Sequence, residues 1–227
     1  MEKRGIIRII CISDTHTYHN KIELPEGDVL IHAGDFSFTG TPGELDSFNT
    51  WLIKQDFKHK LIIYGNHELS LDPNKTPYFQ NYRDMITEGK VLFNTLVEID
   101  GIRFWGSPYT PEFCNWAFSY SPEEAEDMWS EIPQCDVLIT HGPPAGILDK
   151  SHPGGISLGC EELREKVLEI KPRLHAFGHI HGGYGNLVYD YGRCNCTNGR
   201  NDTITFLNAS VVDEAYKVRN KPHVFDL

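Results

Sequence analysis

The chain has 227 residues, 40% of them hydrophobic and 23% charged, the composition of an ordinary globular protein. Its formal net charge of −11 argues against a long nucleic acid or an anionic membrane face as a partner, since both carry the same sign. No apolar stretch approaches the roughly 20 residues needed to span a bilayer, and the length suits a single domain, 1–227.

The first strand-like run is 6–12. With Met1-Glu2-Lys3-Arg4 before it, this run faintly imitates a secretory leader. It is short, carries Arg8 and leads straight into Asp14-Thr15-His16, so a strand of a cytoplasmic protein is expected. The run 29–32 leads into Gly34-Asp35. Thr41-Pro42-Gly43-Glu44 then reads as a capping box with proline at the first helical position, and Leu45, Phe48 and Leu52 share one helical face behind it. The run 61–64 leads into Gly65-Asn66-His67-Glu68. Strand-like runs at 91–93, 96–99 and 102–105 precede a turn-rich loop, 107–121, and a second capping box, Ser121-Pro122-Glu123-Glu124. The run 137–140 leads into His141-Gly142 and a second turn-rich loop, 142–159. Leu163, Val167 and Ile170 mark a helix that Pro172 ends. The run 174–177 leads into Gly178-His179-Ile180-His181, and runs at 187–191, 203–207 and 223–225 close the chain around a third loop, 192–202.

Several runs are continuously apolar and β-branched, as in strands covered on both faces. An α/β fold of alternating βα units, with antiparallel strands added late, is expected. The six cysteines form no CxxC pairs, and Cys194-Asn195-Cys196 is too tight for a zinc site, so free thiols in a reducing compartment are expected. Asn195, Asn201 and Asn208 open chance glycosylation patterns.

Five of the runs end in a piece rich in metal-ligand side chains, where open α/β sheets put their sites. Taken singly, Asn66 also suits a turn and Asp35 a helix cap; their place in the ordered set points elsewhere. The pieces supply carboxylates and neutral N and O donors without a thiolate, a mixture suited to Mn, Fe or Zn. Two such ions side by side address both obstacles to phosphate-ester hydrolysis: they lower the pKa of a bridging water to yield hydroxide, and they stabilise the attacking and leaving oxygens.

The order DxH, GD, GNH(D/E), H, GHxH resembles the signature of the calcineurin-like metallophosphoesterases, and it runs from Asp14 to His181. A closer resemblance is to the metallophosphoesterase-domain-containing, brain-type subgroup. It is carried by Gly34-Asp35-Phe36, Trp116-Ala117-Phe118, His141-Gly142-Pro143-Pro144, the glycine-rich run 178–185, Asn208-Ala209-Ser210 and the ending Val224-Phe225-Asp226-Leu227. The resemblance implies a sandwich of two mixed β-sheets flanked by helices. It also implies a role for each matching residue. Asp14, His16 and His181 would hold one metal, Asn66, His141 and His179 the other, and Asp35 would bridge them. His67 would bind no metal, face the phosphate and protonate the leaving oxygen. Glu68, where many relatives carry Asp, would orient His67. Both histidines of the GHxH piece are present, which favours a working catalyst.

Beyond the metal core, the protein Ser/Thr phosphatases carry Arg after their GD piece and before their GNH piece; here those stretches read Asp35-Phe36-Ser37-Phe38 and Tyr64-Gly65-Asn66. An Arg fork suits a phosphomonoester dianion, so its absence points to a phosphodiester. Tyr109, Phe113, Trp116 and Phe118 would suit stacking on a nucleobase, though they also suit packing of their loop on the core. The expected substrate is a small nucleotide-type or cyclic-nucleotide diester. A slowly turning nucleotide-binding regulatory module and a phosphomonoesterase are the alternatives. His32 is a candidate to support the metal ligands, and His19, His59, His152, His175 and His223 are assigned to surface or core.

Overall fold

Alternate residues of the central strands feed different cores, and this alternation builds the architecture. In the computed structural model, which describes residues 5–192 and 203–227, β1 (Arg8–Ile12), β2 (Val29–Ala33), β3 (His59–Ile63) and the two-residue β4 (Lys90–Val91) form a parallel ladder. The second sheet begins with the antiparallel hairpin of β5 (Thr95–Ile99) and β6 (Ile102–Ser107). A small parallel pair, β7 (Thr110–Pro111) and β8 (Ser119–Tyr120), stands apart. β9 (Val137–Thr140), β10 (Leu174–Phe177), β11 (Gly185–Asp190) and β12 (Thr203–Asn208) complete the second sheet in the order β11-β12-β10-β9-β6-β5. β13 (His223–Asp226) returns antiparallel to the outer edge of β1.

Ile9 and Cys11 of β1, Val29 and Ile31 of β2, and Leu61 and Ile63 of β3 meet Phe104, Val137, Ile139, Leu174 and Ala176 of the other sheet in one dry layer. The intervening residues Ile10, Ile12, Leu30 and Ile62 face outward onto α1 (Pro42–Ile53), which contributes Leu45, Phe48, Trp51 and Leu52. On the far side, Leu138 and Phe177 pack against Trp129 of α3 (Ala125–Ser130) and Leu163, Val167 and Ile170 of α4 (Glu161–Ile170). The fold is therefore a sandwich of two mixed sheets flanked by helices.

Both capping boxes form. The Glu44 carboxylate accepts the Thr41 N–H at 2.8 Å, and Glu124 accepts that of Ser121 at 2.8 Å. The second opens a 3₁₀ turn, Pro122–Glu124, before α3. Three features depart from the sequence reading. The strand expected at 91–93 shrinks to Lys90–Val91, with Leu92 buried between the sheets and its N–H on the Ile62 carbonyl at 2.8 Å. The loop 107–121 contains β7 and β8, and a one-turn helix, α2 (Phe79–Arg83), has no counterpart among the expected elements. Cys11, Cys114, Cys135 and Cys160 are unpaired. Cys194, Cys196, Asn195 and Asn201 lie outside the described residues. Among those described, no helix is long and apolar enough to cross a membrane.

Candidate metal centre

All five ligand-bearing pieces leave the C-terminal ends of parallel strands. Asp14 and His16 follow β1, Asp35 follows β2, Asn66 follows β3, His141 follows β9, and His179 and His181 follow β10. The two sheets bring these ends to one point: the Ser13 N–H crosses from the first sheet to the Ala209 carbonyl behind β12 at 2.8 Å, and within the second sheet the Gly178 N–H reaches the His141 carbonyl at 3.0 Å. The backbone there is strained. Asp14, His16, Asp35 and His179 have φ of 54°, 38°, 56° and 65°, a left-handed region that costs a residue with a side chain about 1–3 kcal/mol. The motif glycines serve the same convergence. A Cβ on Gly65 would overlap the Asp35 carboxylate, and one on Gly178 the Asp14 carboxylate.

The imidazoles are aimed from behind by carbonyls. The Nδ1–H of His16 donates to the Ser37 carbonyl at 3.1 Å and that of His141 to the Ala33 carbonyl at 2.8 Å. Since a carbonyl only accepts, Nε2 is left facing inward on both rings, as in histidine metal ligands. His16 Nε2 lies 3.3 Å from His181 Nε2, and His181 Nε2 lies 3.5 Å from Asp14 Oδ1. His141 Nε2 lies 3.2 Å from Asp35 Oδ2 and 2.9 Å from Asn66 Oδ1. His16 Nε2 reaches Asp35 Oδ2 at 3.9 Å.

Two sets of donors result. Asp14, His16 and His181 each offer one ligand atom with all three within 4.8 Å of one another, and so do Asp35, His141 and His179. Two nitrogens at 3.3 Å and a cluster of inward-facing oxygens around His141 make a site that calls for cations, so the donors fit a pair of divalent ions. The charges agree. Burial works against ionisation of Asp35, but His141, and then His67 and His16, hold its carboxyl well below the usual range. Burial likewise opposes ionisation of Asp14, which His181 brings down to about 2. Burial lowers His16 and His179 to about 4, leaving them neutral and able to ligate. His141 is the exception: burial pulls its pKa down, yet Asp35 and Asp14 raise it to about 9.

His67 is held on several sides. Its Nδ1–H donates to the Phe38 carbonyl at 2.9 Å and its backbone N–H to Asp35 Oδ1 at 2.9 Å. Its ring stacks on Trp116 at 4.3 Å between centroids and meets the edge of His16 at 4.6 Å. His67 falls in a third donor group with His16 and Asp35.

The expected role of Glu68 is corrected. Its carboxylate turns away from His67 and is spent elsewhere. Buried, it accepts the backbone N–H groups of Gly65 at 2.6 Å, Ser37 at 2.9 Å and Asp35 at 3.0 Å, and the Ser37 hydroxyl at 2.7 Å. Burial, then the charge of Asp35, pushes this carboxyl up to about 8 against those donors. Glu68 thus pins the Asp35 and Asn66 loops together. Glu68→Ala should leave several buried donors unpaired and cost at least about 3 kcal/mol, roughly 6–12 °C in Tm for a chain of this size. A melt close to that of the parent would contradict this role.

A cavity of about 370 Å³ opens over the cluster, lined by Asp35, Asn66, His67, His179 and His181 on its floor and by Phe113 and Trp116 on its wall. Phe118 and Tyr109 do not line it. Phe118 is buried and stacks on Tyr64 at 5.5 Å, and Tyr109 packs edge-on against Phe93 and Phe118. Of the four aromatics, Phe113 and Trp116 line the cavity, and the β7–β8 pair turns the other two inward. Three lining residues have no signal in the sequence: Ser151, Glu214 and Tyr216. His32 Nε2 lies 3.1 Å from the Thr15 hydroxyl, between two of the ligand-type residues. His19 and His175 are buried in the core, where His175 Nε2 meets the Thr140 hydroxyl at 2.8 Å. Asn208 is no glycosylation acceptor; it is buried, and its amide donates to the Ile180 carbonyl at 2.9 Å, inside the His179–His181 turn.

Comparison with known proteins accords with this geometry. The family model for calcineurin-like phosphoesterases matches residues 7–183. Human metallophosphoesterase domain-containing protein 1 is 38% identical over 245 residues, covering 98% of this chain and 72% of that protein. A probable rhamnogalacturonate lyase C of Emericella nidulans is 42% identical over 200 residues, 84% of this chain and 18% of that much longer one. The crystal structure of a Thermus thermophilus protein, TT1561, superposes with a TM-score of 0.54 at 12% identity, covering 98% of this chain and 99% of that one, a likeness of fold.

Proposed function

Because the chain belongs to the calcineurin-like phosphoesterase family, we propose that it acts as one domain that hydrolyses phosphodiesters of nucleotide or cyclic-nucleotide type at a pair of divalent ions, Mn, Fe or Zn. The single observation that carries the reading is the position of Asp35, whose carboxylate lies 3.2 Å from His141 Nε2 and 3.9 Å from His16 Nε2 and so borders both donor sets. Asp14, His16 and His181 would hold one ion, Asn66, His141 and His179 the other, with Asp35 between them. When bound, such a pair supplies an activated water and a countercharge for the phosphoryl oxygens.

The protein groups do the rest. Asn66, 5% exposed, presents its amide at the cavity floor beside His67. His67 keeps its Nδ1–H on the Phe38 carbonyl and gives the proton on Nε2 to the departing oxygen, leaving a neutral ring. Phe113 and Trp116 offer a wall for a flat base. Two observations support a diester. The described residues lining the cavity include no Lys or Arg, and they do include Glu214. A dianionic monoester would meet that carboxylate without the bidentate Arg that usually holds it. Unpaired Cys11, Cys114, Cys135 and Cys160 support a reducing, cytoplasmic setting.

The test compares manganese-dependent release of p-nitrophenol from its bis-phosphate ester and from its mono-phosphate ester. A clearly higher kcat/KM for the bis ester is expected. A clear preference for the mono ester would overturn the diester reading and leave the phosphoesterase assignment standing.

A further inference from the structure

Tyr216 belongs to none of the five ligand-bearing pieces, and the proposed reaction leaves it unused. It sits in a turn that Asp213 clamps. Asp213 Oδ1 accepts the N–H groups of Ala215 and Lys217 at 2.9 Å each, and its carbonyl accepts the Tyr216 N–H at 2.9 Å. The turn holds Tyr216 at φ 55°, a conformation that disfavours a bulky side chain. What the strain achieves is placement. The ring meets the imidazoles of His16 at 4.8 Å and His181 at 5.2 Å edge-on, tilts against Phe38 at 5.7 Å and lies 6.4 Å from His67. It lines the cavity, is 38% exposed, and its hydroxyl has no hydrogen-bond partner among the described residues.

Outliers of this kind gather where a side chain must be presented to a ligand. Here the presented group is a neutral O–H donor, fixed by three rings beside the residues that would hold the first ion. We propose that the Tyr216 hydroxyl is a substrate-recognition group, donating a hydrogen bond to a non-bridging phosphoryl oxygen of the ester and favouring the monoanionic diester. The inference rests on the phosphodiester reading above. A neutral donor orients a phosphoryl oxygen without adding the second positive charge that a dianion would need, so it suits a cavity whose described lining lacks Lys and Arg. Packing on His16, His181 and Phe38 fixes the phenol in advance, so little side-chain freedom is lost on binding.

The experiment uses the full chain loaded with manganese and two variants, Tyr216→Phe and Tyr216→Ala. The readouts are kcat/KM on the bis and mono esters, inhibition by dimethyl phosphate, metal content and Tm. For Tyr216→Phe the expected result is about a tenfold loss of kcat/KM on the bis ester and a matching weakening of dimethyl phosphate, with full metal content and an unchanged melt, as for a lost hydrogen bond to a charged group. Tyr216→Ala should lose more, since the ring goes too. Parental kcat/KM and dimethyl phosphate affinity in Tyr216→Phe would overturn the proposal, as would loss of a metal, which would make the phenol a support for His16 and His181. Failure of the diester reading shows separately, as a mono-ester preference in the unsubstituted protein. The Tyr-to-Phe ratio is then judged on whichever substrate is better.

Discussion

Asp35→Asn should abolish nearly all metal-dependent hydrolysis, by about 10³-fold or more, while leaving the fold intact. The magnitude follows from the several kcal/mol that metal ions contribute to such reactions, at about 1.4 kcal/mol per tenfold in rate. The substitution keeps the shape of the side chain and its Oδ1, which accepts the His67 N–H at 2.9 Å, so the loop it anchors should hold. What it removes is the charge that faces both donor sets. Without it, the remaining ligands of the two groups are Asp14, Asn66 and the histidines at 16, 141, 179 and 181, with a single carboxylate to balance both dications. Metal content should fall below the full complement. Substantial activity with both metals retained in the Asn variant would show that Asp35 does not bridge.

Much of this site was legible because its residues sit where chain geometry repeats. Asp14, Asp35, Asn66, His141 and His179 each come shortly after a buried parallel strand, and such strands announce themselves as short apolar runs. The glycines at 65 and 178 are readable as part of the pieces, but their reason is not: each admits a carboxylate from a different strand, a contact across sequence distance. The same limit explains the errors. Glu68 looks like a partner for its neighbour His67, yet its carboxylate reaches across to the backbone of Asp35 and Ser37, and no local spacing encodes that. Phe118 and Trp116 stand close together in one loop and read alike in the sequence. The short strand β8 beside them turns one into the core and leaves the other against His67. Tyr216 has no motif at all. Its role comes from a strained turn whose rigidity depends on Asp213, visible only once the late chain is folded against His16 and His181.

His67→Gln should separate binding from chemistry. In the structure His67 lies beside the metal donors, but its Nδ1–H is committed to the Phe38 carbonyl and its face to Trp116, so Nε2 is left to carry a proton while the other contacts orient the ring. General acid–base groups are typically worth about 10²–10⁴-fold in rate, and kcat should fall by roughly that factor while both metals are kept. The loss should depend on the leaving group. Nitrophenolate departs with little need of a proton, so bis-p-nitrophenyl phosphate should suffer least, and a diester with an alkoxide leaving group should suffer most. The discriminating measurement is kcat for a pair of diesters that differ in leaving-group pKa, with elemental analysis of the same protein. His67 belongs to the third donor group with His16 and Asp35, so the rival role is ligation. Ligation predicts a missing metal and an equal slowing of both substrates. General-acid catalysis predicts full metal content and unequal slowing, because only the alkoxide must wait for its proton.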